Sequence, residues 1–517
     1  MDIVKNAATV GVFTLFSRVI GFMRECVMAF CLGAGIYSDA ILIALRISNT
    51  FRRIFAEGAF NASFLPRFSR ILSKEGKEEA NVVLGDVFSV LLLILIPFSI
   101  IIIAIFPSFL QLLISGFDEH SEKFQLTVIL GRICFPYLIF ISIASLFCGV
   151  LNAINRFTLP AVVHSILSIF TTIGLLVGYF CNLSHCLTAH VVIHFVVFSG
   201  VVQFYILFTS ISQHGFRIRF QFSCWTRTVK DIIKNMIPGI IGAGVWQLNL
   251  LVDTTISSYL PAGTITCLNL ADRLNQFPLG TLGIALSTAL LPLLSHTIAR
   301  QEYAMAAQAF ERGLTLALFV TLPATVVLIA LAEPTVSVAY QRGLFAGEQT
   351  LITADAVVGF AIGLPAYVLT KIFSTLYFAA GDTKYPVISG MFSVLLNMLF
   401  LLLLVPFGKY FCIALSTSLA AVSHAIMLIL PARKFSLKRT KMFWYKVFSQ
   451  IAAASATYFF LQKMVSSFWS HDMGTKSVKW LIYMAFLCSA AFIFFSTVIV
   501  FLYITKQQWK IWRKDLW

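Results

Sequence analysis

Five arginines lie inside the first two hydrophobic segments of the chain, where a segment built for lipid would carry none. They are Arg18, Arg24, Arg46, Arg52 and Arg53. A charged side chain at the bilayer centre costs roughly 2.5–3.5 kcal/mol, so five that face lipid would cost on the order of 12–17 kcal/mol. We therefore expect them to line a wet cavity. Because a planar guanidinium binds phosphate oxygens two at a time, such a cavity suits an anionic, phosphorylated cargo.

The second hydrophobic segment places polar side chains on one face of a helix. Asp39, Arg46 and Arg53 recur every seven residues, and at ~100° per residue each step rotates the position by only about 20°. Asn49 and Glu57 fall near the same stripe. Glu57 follows Arg53 by four residues and can pair with it, so a structural ion pair is the alternative for any one arginine. The carboxylates of the two segments are too few to neutralise the whole cluster, which favours a cationic cavity.

The elements that must position these residues are membrane-spanning helices. Of the 517 residues 59% are hydrophobic and 12% charged, and the mean hydropathy is +0.89. An average soluble domain is ~25% charged. The composition therefore predicts an all-α polytopic membrane protein, since about 20 apolar residues cross ~30 Å of hydrocarbon. Fourteen spans are predicted, near 8–33, 38–65, 84–112, 124–152, 158–182, 187–212, 236–260, 267–299, 312–341, 351–380, 385–407, 410–432, 444–464 and 478–505.

The basic residues alternate from loop to loop. With the N-terminus inside, 24 of the 38 lysines and arginines fall on the cytoplasmic side and six on the opposite side. This asymmetry follows the positive-inside rule and predicts a multi-pass membrane protein with both termini in the cytoplasm. The net charge of +16 is therefore no indication of a nucleic-acid partner. The first segment is interrupted by arginines and lacks a cleavage site, so it is predicted to stay as span one.

An internal repeat predicts the architecture. Ala59–Ser69 aligns with Ala285–Ser295 at an offset of 226 residues, and Pro160 and Pro386 share that offset. An even number of spans separates the copies, so the two halves would have the same topology and be related by an axis along the membrane normal. The predicted organisation is a six-helix lobe, a cytoplasmic amphipathic linker, a second six-helix lobe, and two extra spans with a tail, at 1–212, 213–235, 236–434 and 435–517.

No catalytic motif stands out in the chain. It has no phosphate-binding glycine loop with a following lysine, no His-Glu-x-x-His and no nucleophile elbow, so we expect a protein that is not an enzyme and needs no cofactor. His190 and His194 are four residues apart but have no evident third ligand, and no metal site is predicted. Cys181 and Cys186 border one predicted outer loop, where they could either pair or remain thiols.

Four stretches carry a family resemblance: Phe16–Glu25, Gly33–Ala40, Asn49–Phe60 and Ala271–Pro278. They resemble the signatures of the bacterial lipid II flippases, the MurJ/MviN group of the MOP exporter superfamily. The resemblance implies a fourteen-span transporter of the bacterial cytoplasmic (inner) membrane. It would move undecaprenyl-diphosphate-linked peptidoglycan precursor from the inner to the outer leaflet, for cell-wall biogenesis and cell shape. It also implies alternating access through a central cationic cavity between two lobes, with the last two spans holding the lipid tail.

The resemblance assigns roles residue by residue. The family's cavity arginines match Arg18, Arg24, Arg52 and Arg273, with Asp39 and Arg53 as further functional positions, and its cavity lysine matches Lys371. One departure is Gln276, where many relatives carry an acidic residue. The implied partners are the lipid-linked precursor and membrane lipids, with cell-wall synthesis or division proteins as further candidates.

Some relatives resemble a sodium binder in the second lobe. Asp253, Asn397 and Thr417 match three of its positions, but the fourth, one turn after Asn397, is Leu401 in place of a carboxylate. Hard cations take several oxygen ligands, so we expect transport without sodium dependence, with Asp253 either proton-responsive or hydrogen-bonded in the structure.

Three other functions would each need different residues. A flippase for another polyprenyl-diphosphate-linked oligosaccharide would share the basic cavity but not the Arg52–Phe60 block. A MATE-like ion-coupled exporter should present carboxylates there instead. A polyprenyl-phosphate glycosyltransferase would need a clustered acidic pair near a membrane face, and the sequence shows none.

Overall fold

The computed structural model describes residues 2–55, 59–221, 224–432, 441–469 and 476–504. Over these ranges the chain forms twenty α-helices and no β-strand, as the composition predicts. The first eleven helices are α1 (Asp2–Leu32), α2 (Ile36–Phe55), α3 (Ala59–Lys74), α4 (Lys77–Ala104), α5 (Phe106–Leu113), α6 (Glu122–Cys134), α7 (Tyr137–Ala153), α8 (Thr158–Val163), α9 (Ser165–Phe180), α10 (His185–Gln213) and α11 (Arg227–Ser258).

The remaining helices follow after a short turn. They are α12 (Thr264–Pro278), α13 (Ile284–Ala299), α14 (Tyr303–Ala330), α15 (Ala332–Tyr340), α16 (Gly347–Ile362), α17 (Leu364–Ala379), α18 (Lys384–Ile429), α19 (Lys441–Phe468) and α20 (Lys476–Ile504). A π-helical segment, Leu279–Gly283, joins α12 to α13 directly after Pro278. Proline lacks the N–H that an α-helical bond needs at that turn, and π-helical turns often occur at functional sites.

The chain divides into two compact units. Unit 1 consists of Met1–Thr266 with Arg342–Phe345, and unit 2 of Cys267–Gln341 with Ala346–Trp517. Within unit 1, α11 packs against α2, α3 and α4. The sequence repeat instead assigns α11 to the second lobe, and the lobe boundaries stay a prediction.

Not every predicted span is apolar throughout. Among the described residues, eight helical stretches are long and apolar enough to cross a membrane, two of them within α18, or nine if the bent pair α6 and α7, which meet at 41°, is counted as one span. Helix α2 is not among them because it carries Asp39, Arg46, Arg52 and Arg53 within 20 residues. The chain is therefore a multi-pass membrane protein. Hydropathy alone misses its more polar helices, so the number of fourteen spans remains a prediction.

The apolar face of α2 is anchored in an aromatic cluster. The ring of Phe51 lies 5.2 Å from that of Phe98 and 5.8 Å from that of Phe135, measured between centroids. Toward the N-terminal end of α2, residues 40–45 are all buried. Because successive helical residues point about 100° apart, fixing Phe51 in the core directs the neighbouring Arg52 to another face.

Candidate functional site

Helix α1 carries the first two predicted cavity arginines. Arg18 is half-buried. Arg24 is 9% exposed and donates a hydrogen bond to Glu25, the next residue, whose side chain is fully buried. A guanidinium has five N–H donors, so one carboxylate oxygen does not exhaust it. Arg24 is therefore held in place by an ion pair that engages only part of its donors.

On α2 the predicted stripe divides into residues with different partners. Arg46 donates to the hydroxyl of Thr254, which itself donates to the carbonyl of Leu250 at 2.7 Å. Arg46 therefore bridges α2 and α11. Arg52 Nε donates to Asn49 Oδ1 at 3.1 Å, so Asn49 orients that guanidinium.

The far end of the stripe reaches the limit of the described residues. Arg53 is exposed. Glu57, predicted both to join the stripe and to pair with Arg53, lies outside the described residues, so the pair remains a prediction.

Asp39 has a different environment from the arginines. Its side chain is fully buried, and both carboxylate oxygens accept hydrogen bonds. Oδ2 accepts from Lys123 Nζ at 2.7 Å and from the Gly263 backbone N–H at 2.8 Å. Oδ1 accepts from the backbone N–H of Thr266 at 2.9 Å and from its hydroxyl at 2.6 Å. Since Thr266 lies in the first turn of α12, the carboxylate also occupies a helix N-terminus, which favours an anion.

Lys123 was not recognised as a functional residue from sequence. It is one of the six basic residues predicted to lie on the outer side. The structure places it in the first turn of α6, 9% exposed and with its ammonium 4.7 Å from the ring centre of Phe117. Its spacing along the chain offers no signal of this role, because its partner Asp39 lies 84 residues away.

Three glycines with positive φ lie near Asp39, where three segments of unit 1 approach one another. This glycine clasp consists of Gly33, Gly263 and Gly343, at φ values of +62°, +92° and +57°. A Cβ on Gly33 would lie 2.8 Å from the carbonyl oxygen of Leu344, and one on Gly263 would lie 2.5 Å from that of Ala34. The Leu344 N–H donates to the carbonyl of Phe30 at 3.1 Å. The backbones approach too closely for any side chain, so only glycine fits at these positions.

Unit 2 holds the other predicted cavity residues. Arg273 is half-buried on α12, and Lys371 is exposed on α17. The side-chain amide of Gln276 donates to the carboxylate of Asp272, one turn earlier. The glutamine that departs from the family pattern thus engages the neighbouring acid.

The predicted ion-coupling residues belong to different units. Asp253 lies on α11 in unit 1, whereas Asn397 and Thr417 lie on α18 in unit 2. Asn397 and Leu401 are both fully buried, and the Thr417 hydroxyl donates to the carbonyl of Ile413 at 3.2 Å. An isobutyl group therefore fills the position where a carboxylate would supply oxygen ligands.

The remaining sequence candidates have local partners. His190 Nδ1 lies 2.9 Å from the carbonyl oxygen of Cys186, and His194 Nδ1 lies 2.7 Å from that of His190. Cys181 and Cys186 are exposed free thiols. Within the described part of the chain, no group of three histidine, cysteine or acidic side chains is placed to hold a metal ion.

Comparison with solved structures identifies the fold. A structure titled "Lipid II flippase MurJ, inward closed conformation" superposes with a TM-score of 0.79, covers 95% of this chain and 99% of its own, and is 24% identical. An inward-facing multidrug MATE transporter of the MOP superfamily superposes with a TM-score of 0.71 at 11% identity, over 83% of this chain and 99% of its own. At these identities the likeness concerns the fold alone.

Comparison of sequences identifies the family. The family model described as "Lipid II flippase MurJ" matches residues 28–484. The "Probable lipid II flippase MurJ" of Rhizobium meliloti (strain 1021) is 35% identical over 429 residues, which cover 83% of this chain and 80% of the relative. That of Rickettsia prowazekii (strain Madrid E) is 34% identical over 424 residues, 81% of this chain and 82% of the relative. The chain belongs to the lipid II flippase MurJ family.

Proposed function

We propose that this protein is a flippase that carries undecaprenyl-diphosphate-linked peptidoglycan precursor from the inner to the outer leaflet. The observation that carries the proposal is the set of arginines on α1 and α2, held within a multi-pass helical fold by Glu25, Asn49 and Thr254. A diphosphate with sugars and peptide cannot cross hydrocarbon unless polar groups replace its water. Arginine forks supply such groups, and no covalent step is needed.

We assign the predicted site residues to two roles, binding of the diphosphate and support of the cavity. Arg18, Arg24 and Arg52 would bind the diphosphate from the first lobe, and Arg273 and Lys371 from the second. Arg53 is exposed and would add positive charge on the same helix. Asn49 orients Arg52. Arg46 and Asp39, whose contacts join helices of unit 1, would act by holding the cavity walls.

Alternating access needs an end that can close. The Asp39–Lys123 pair and the glycine clasp join residues 30–39 to residues 263–266 and 342–345. With the N-terminus in the cytoplasm, the turn after α1 faces the outside, so these contacts would form the outer closure. Release of cargo to the outer leaflet then requires that they break. The tail would stay in lipid against α19 and α20, which pack on each other and on α14.

The contacts in unit 1 argue against a MATE-like cation exporter despite the shared fold. Such an exporter needs a carboxylate that can bind a cation or proton during each cycle. The two described carboxylates of the first two spans, Glu25 and Asp39, are buried and paired with Arg24 and Lys123. The excess of charge near them is positive, which suits an anionic cargo.

Depletion of the protein in its host tests the proposed function. If the protein is the flippase, lipid-linked peptidoglycan precursor should accumulate on the cytoplasmic side of the inner membrane, and a plasmid copy should reverse the accumulation. Normal appearance of precursor in the outer leaflet after full depletion would exclude the proposal.

The proposed orientation predicts the outcome of topology reporters. Fusions near Lys77, Lys234, Lys441 and the C-terminus should all report the cytoplasm, and a fusion near Lys476 the opposite side, because basic loops remain inside. A periplasmic signal at Lys441 would refute the fourteen-span arrangement.

We also expect transport to be independent of sodium. Leu401 removes a carboxylate from the family's ion site, and its side chain is fully buried. In vesicles with the purified protein, replacing sodium by potassium or choline should leave the rate of precursor transfer unchanged. A collapse of the rate that is reversed by adding sodium back would show that other oxygen ligands complete the site.

A further inference from the structure

An extended strap connects α10 to α11 and docks along α4. The strap comprises residues 214–221 and 224–226, which form no helix. Side chains on α4 hold it through four hydrogen bonds. Lys77 Nζ donates to the carbonyl of His214 at 2.5 Å, and three more follow along the helix. These are Arg217 N–H to Asn81 Oδ1 at 3.1 Å, Gln221 N–H to Ser89 Oγ at 2.9 Å, and Thr226 hydroxyl to Asp86 Oδ2 at 3.1 Å. The polar residues of α4 are therefore the docking points of the strap.

The strap runs down α4 and turns back. Its backbone passes so close to Gly85 that a Cβ there would lie 2.8 Å from the carbonyl oxygen of Arg219. From Asn81 to Ser89 the strap advances about 12 Å along the helix, at ~1.5 Å per residue. It then runs back, because Thr226 bonds to Asp86, which precedes Ser89 on α4. We call residues 220–221 and 224–225, which adjoin the bonds to Ser89 and Asp86, the tip of the strap.

The length of α4 places that tip at the membrane surface. Helix α4 has 28 residues, about 42 Å at ~1.5 Å per residue, against ~30 Å of hydrocarbon. The polar residues Lys77, Glu78, Glu79 and Asn81 lie at its start. Roughly its first eight residues therefore project beyond the hydrocarbon. Ser89 follows that projecting part by five residues, about 7 Å, so the strap runs from the aqueous side at Asn81 to just inside the level where acyl chains meet headgroups.

The strap exposes the side chains that suit this level. Phe216 and Cys224 are buried, whereas Arg217 and Arg219 point outward. At the tip Phe220 is 46% exposed and Trp225 52% exposed. Residues 214–226 contain no acidic residue. Tryptophan favours the interface, and arginines near it attract anionic lipid.

We propose that the strap is a binding site for the headgroup phosphates of anionic phospholipids. Arg217 and Arg219 bind the phosphates, and the rings of Phe220 and Trp225 rest between acyl chains. Lipid bound in this way holds the strap against α4, and so fixes the start of α11. This site is independent of the cargo and of the arginines on α1 and α2.

Hydrogen exchange of the full-length protein in lipid nanodiscs tests the proposal. The amides of Arg217 and Gln221, which bond to α4, report whether the strap is docked. Their exchange should be slower in discs of mixed phosphatidylcholine and phosphatidylglycerol than in phosphatidylcholine alone, by about fivefold for each arginine and about 25-fold for the pair. Equal exchange in the two lipids would overturn the proposal.

Variants separate lipid binding from docking. The double variant R217Q/R219Q should lose the difference between lipids, whereas R156Q, which changes another exposed basic residue of unit 1, should keep it. Ser89→Ala removes the acceptor of the Gln221 N–H and should speed exchange in both lipids. A lipid difference that persists in R217Q/R219Q would contradict the assignment of these arginines.

Two further measurements define the ligand and the depth. Soluble glycerol phosphate added to phosphatidylcholine discs should give no protection, and protection equal to that of phosphatidylglycerol would assign the site to a soluble phosphate instead. Lipids brominated near the headgroup should quench the wild type more than Trp225→Phe. Equal quenching of the two proteins would show that Trp225 does not reach the membrane.

Discussion

Replacement of Arg52 by alanine is expected to lower the affinity for precursor about 10- to 100-fold, because each hydrogen bond to a charged group contributes about 1.5–3 kcal/mol. Arg24→Ala and Arg273→Ala should have effects of the same size. The corresponding lysine variants should recover only part of the loss, since an ammonium keeps the charge but not the planar fork. Binding and transfer of labelled precursor by purified protein in vesicles measure these effects.

The choice of Arg52 as the first variant follows from its surroundings. One of its partners is the neutral side chain of Asn49, which orients the guanidinium. Arg24→Ala would instead leave the buried Glu25 without this partner, and its folding must be checked by thermal unfolding. Arg300→Ala is the control, an exposed arginine in a predicted cytoplasmic loop. Full transport by all three alanine variants would contradict a cationic cavity, and full transport by all three lysine variants would show that charge alone suffices.

The second large effect concerns the buried pair of Asp39 and Lys123. Removing one partner of such a pair costs about 3–5 kcal/mol, because the other charge stays buried and uncompensated. Lys123→Met should therefore lower the free energy of unfolding strongly. The double variant Asp39→Asn with Lys123→Met should be more stable than the sum of the single changes predicts, since no charge is left unpaired. Denaturation of the purified variants in detergent measures both effects.

A comparison of stability and transport then separates two roles of this pair. If it forms part of the outer closure, the double variant should keep much of its stability but transfer precursor poorly, because the closure is weakened. Glu122→Gln is the control, since Glu122 adjoins Lys123 but is an exposed acceptor for the Tyr37 hydroxyl at 3.3 Å. Wild-type stability of Lys123→Met, or additive effects in the double variant, would contradict the coupling between the two charges.

The sequence was sufficient to predict the class of fold and the family. Hydropathy and charge predict an all-helical membrane protein, and the structure confirms it for the described residues. The motifs around Arg24, Arg52 and Arg273 predict the family, which the comparisons confirm. Both predictions rest on local patterns, which one sequence displays directly.

Contacts between distant residues were beyond the sequence. The heptad spacing of Asp39, Arg46 and Arg53 defines a helix face but not what lies across from it. The structure places Thr254 opposite Arg46, and Lys123 with residues 263–266 around Asp39. A contact that forms only when distant segments fold together cannot be inferred from the spacing of residues along the chain.

The glycine clasp shows the same limit for the backbone. The positive φ of Gly33, Gly263 and Gly343 becomes apparent only when the three segments approach one another. The count of spans is a separate question. Helix α18 is continuous, yet its two apolar stretches, Lys384–Gly408 and Tyr410–Ile429, are each long enough to cross a membrane, close to the two spans predicted there. Hydropathy marks apolar length, whereas the helix break depends on packing.

The most direct test of the central claim is transfer of a labelled lipid-linked peptidoglycan precursor across vesicles that contain only this protein. We expect the precursor to reach the opposite leaflet with the wild-type protein, and transfer to fall about 10- to 100-fold with Arg52→Ala but to persist with Arg300→Ala. No transfer by the folded wild-type protein under an imposed membrane potential or ion gradient, or equal transfer by Arg52→Ala, would contradict the account.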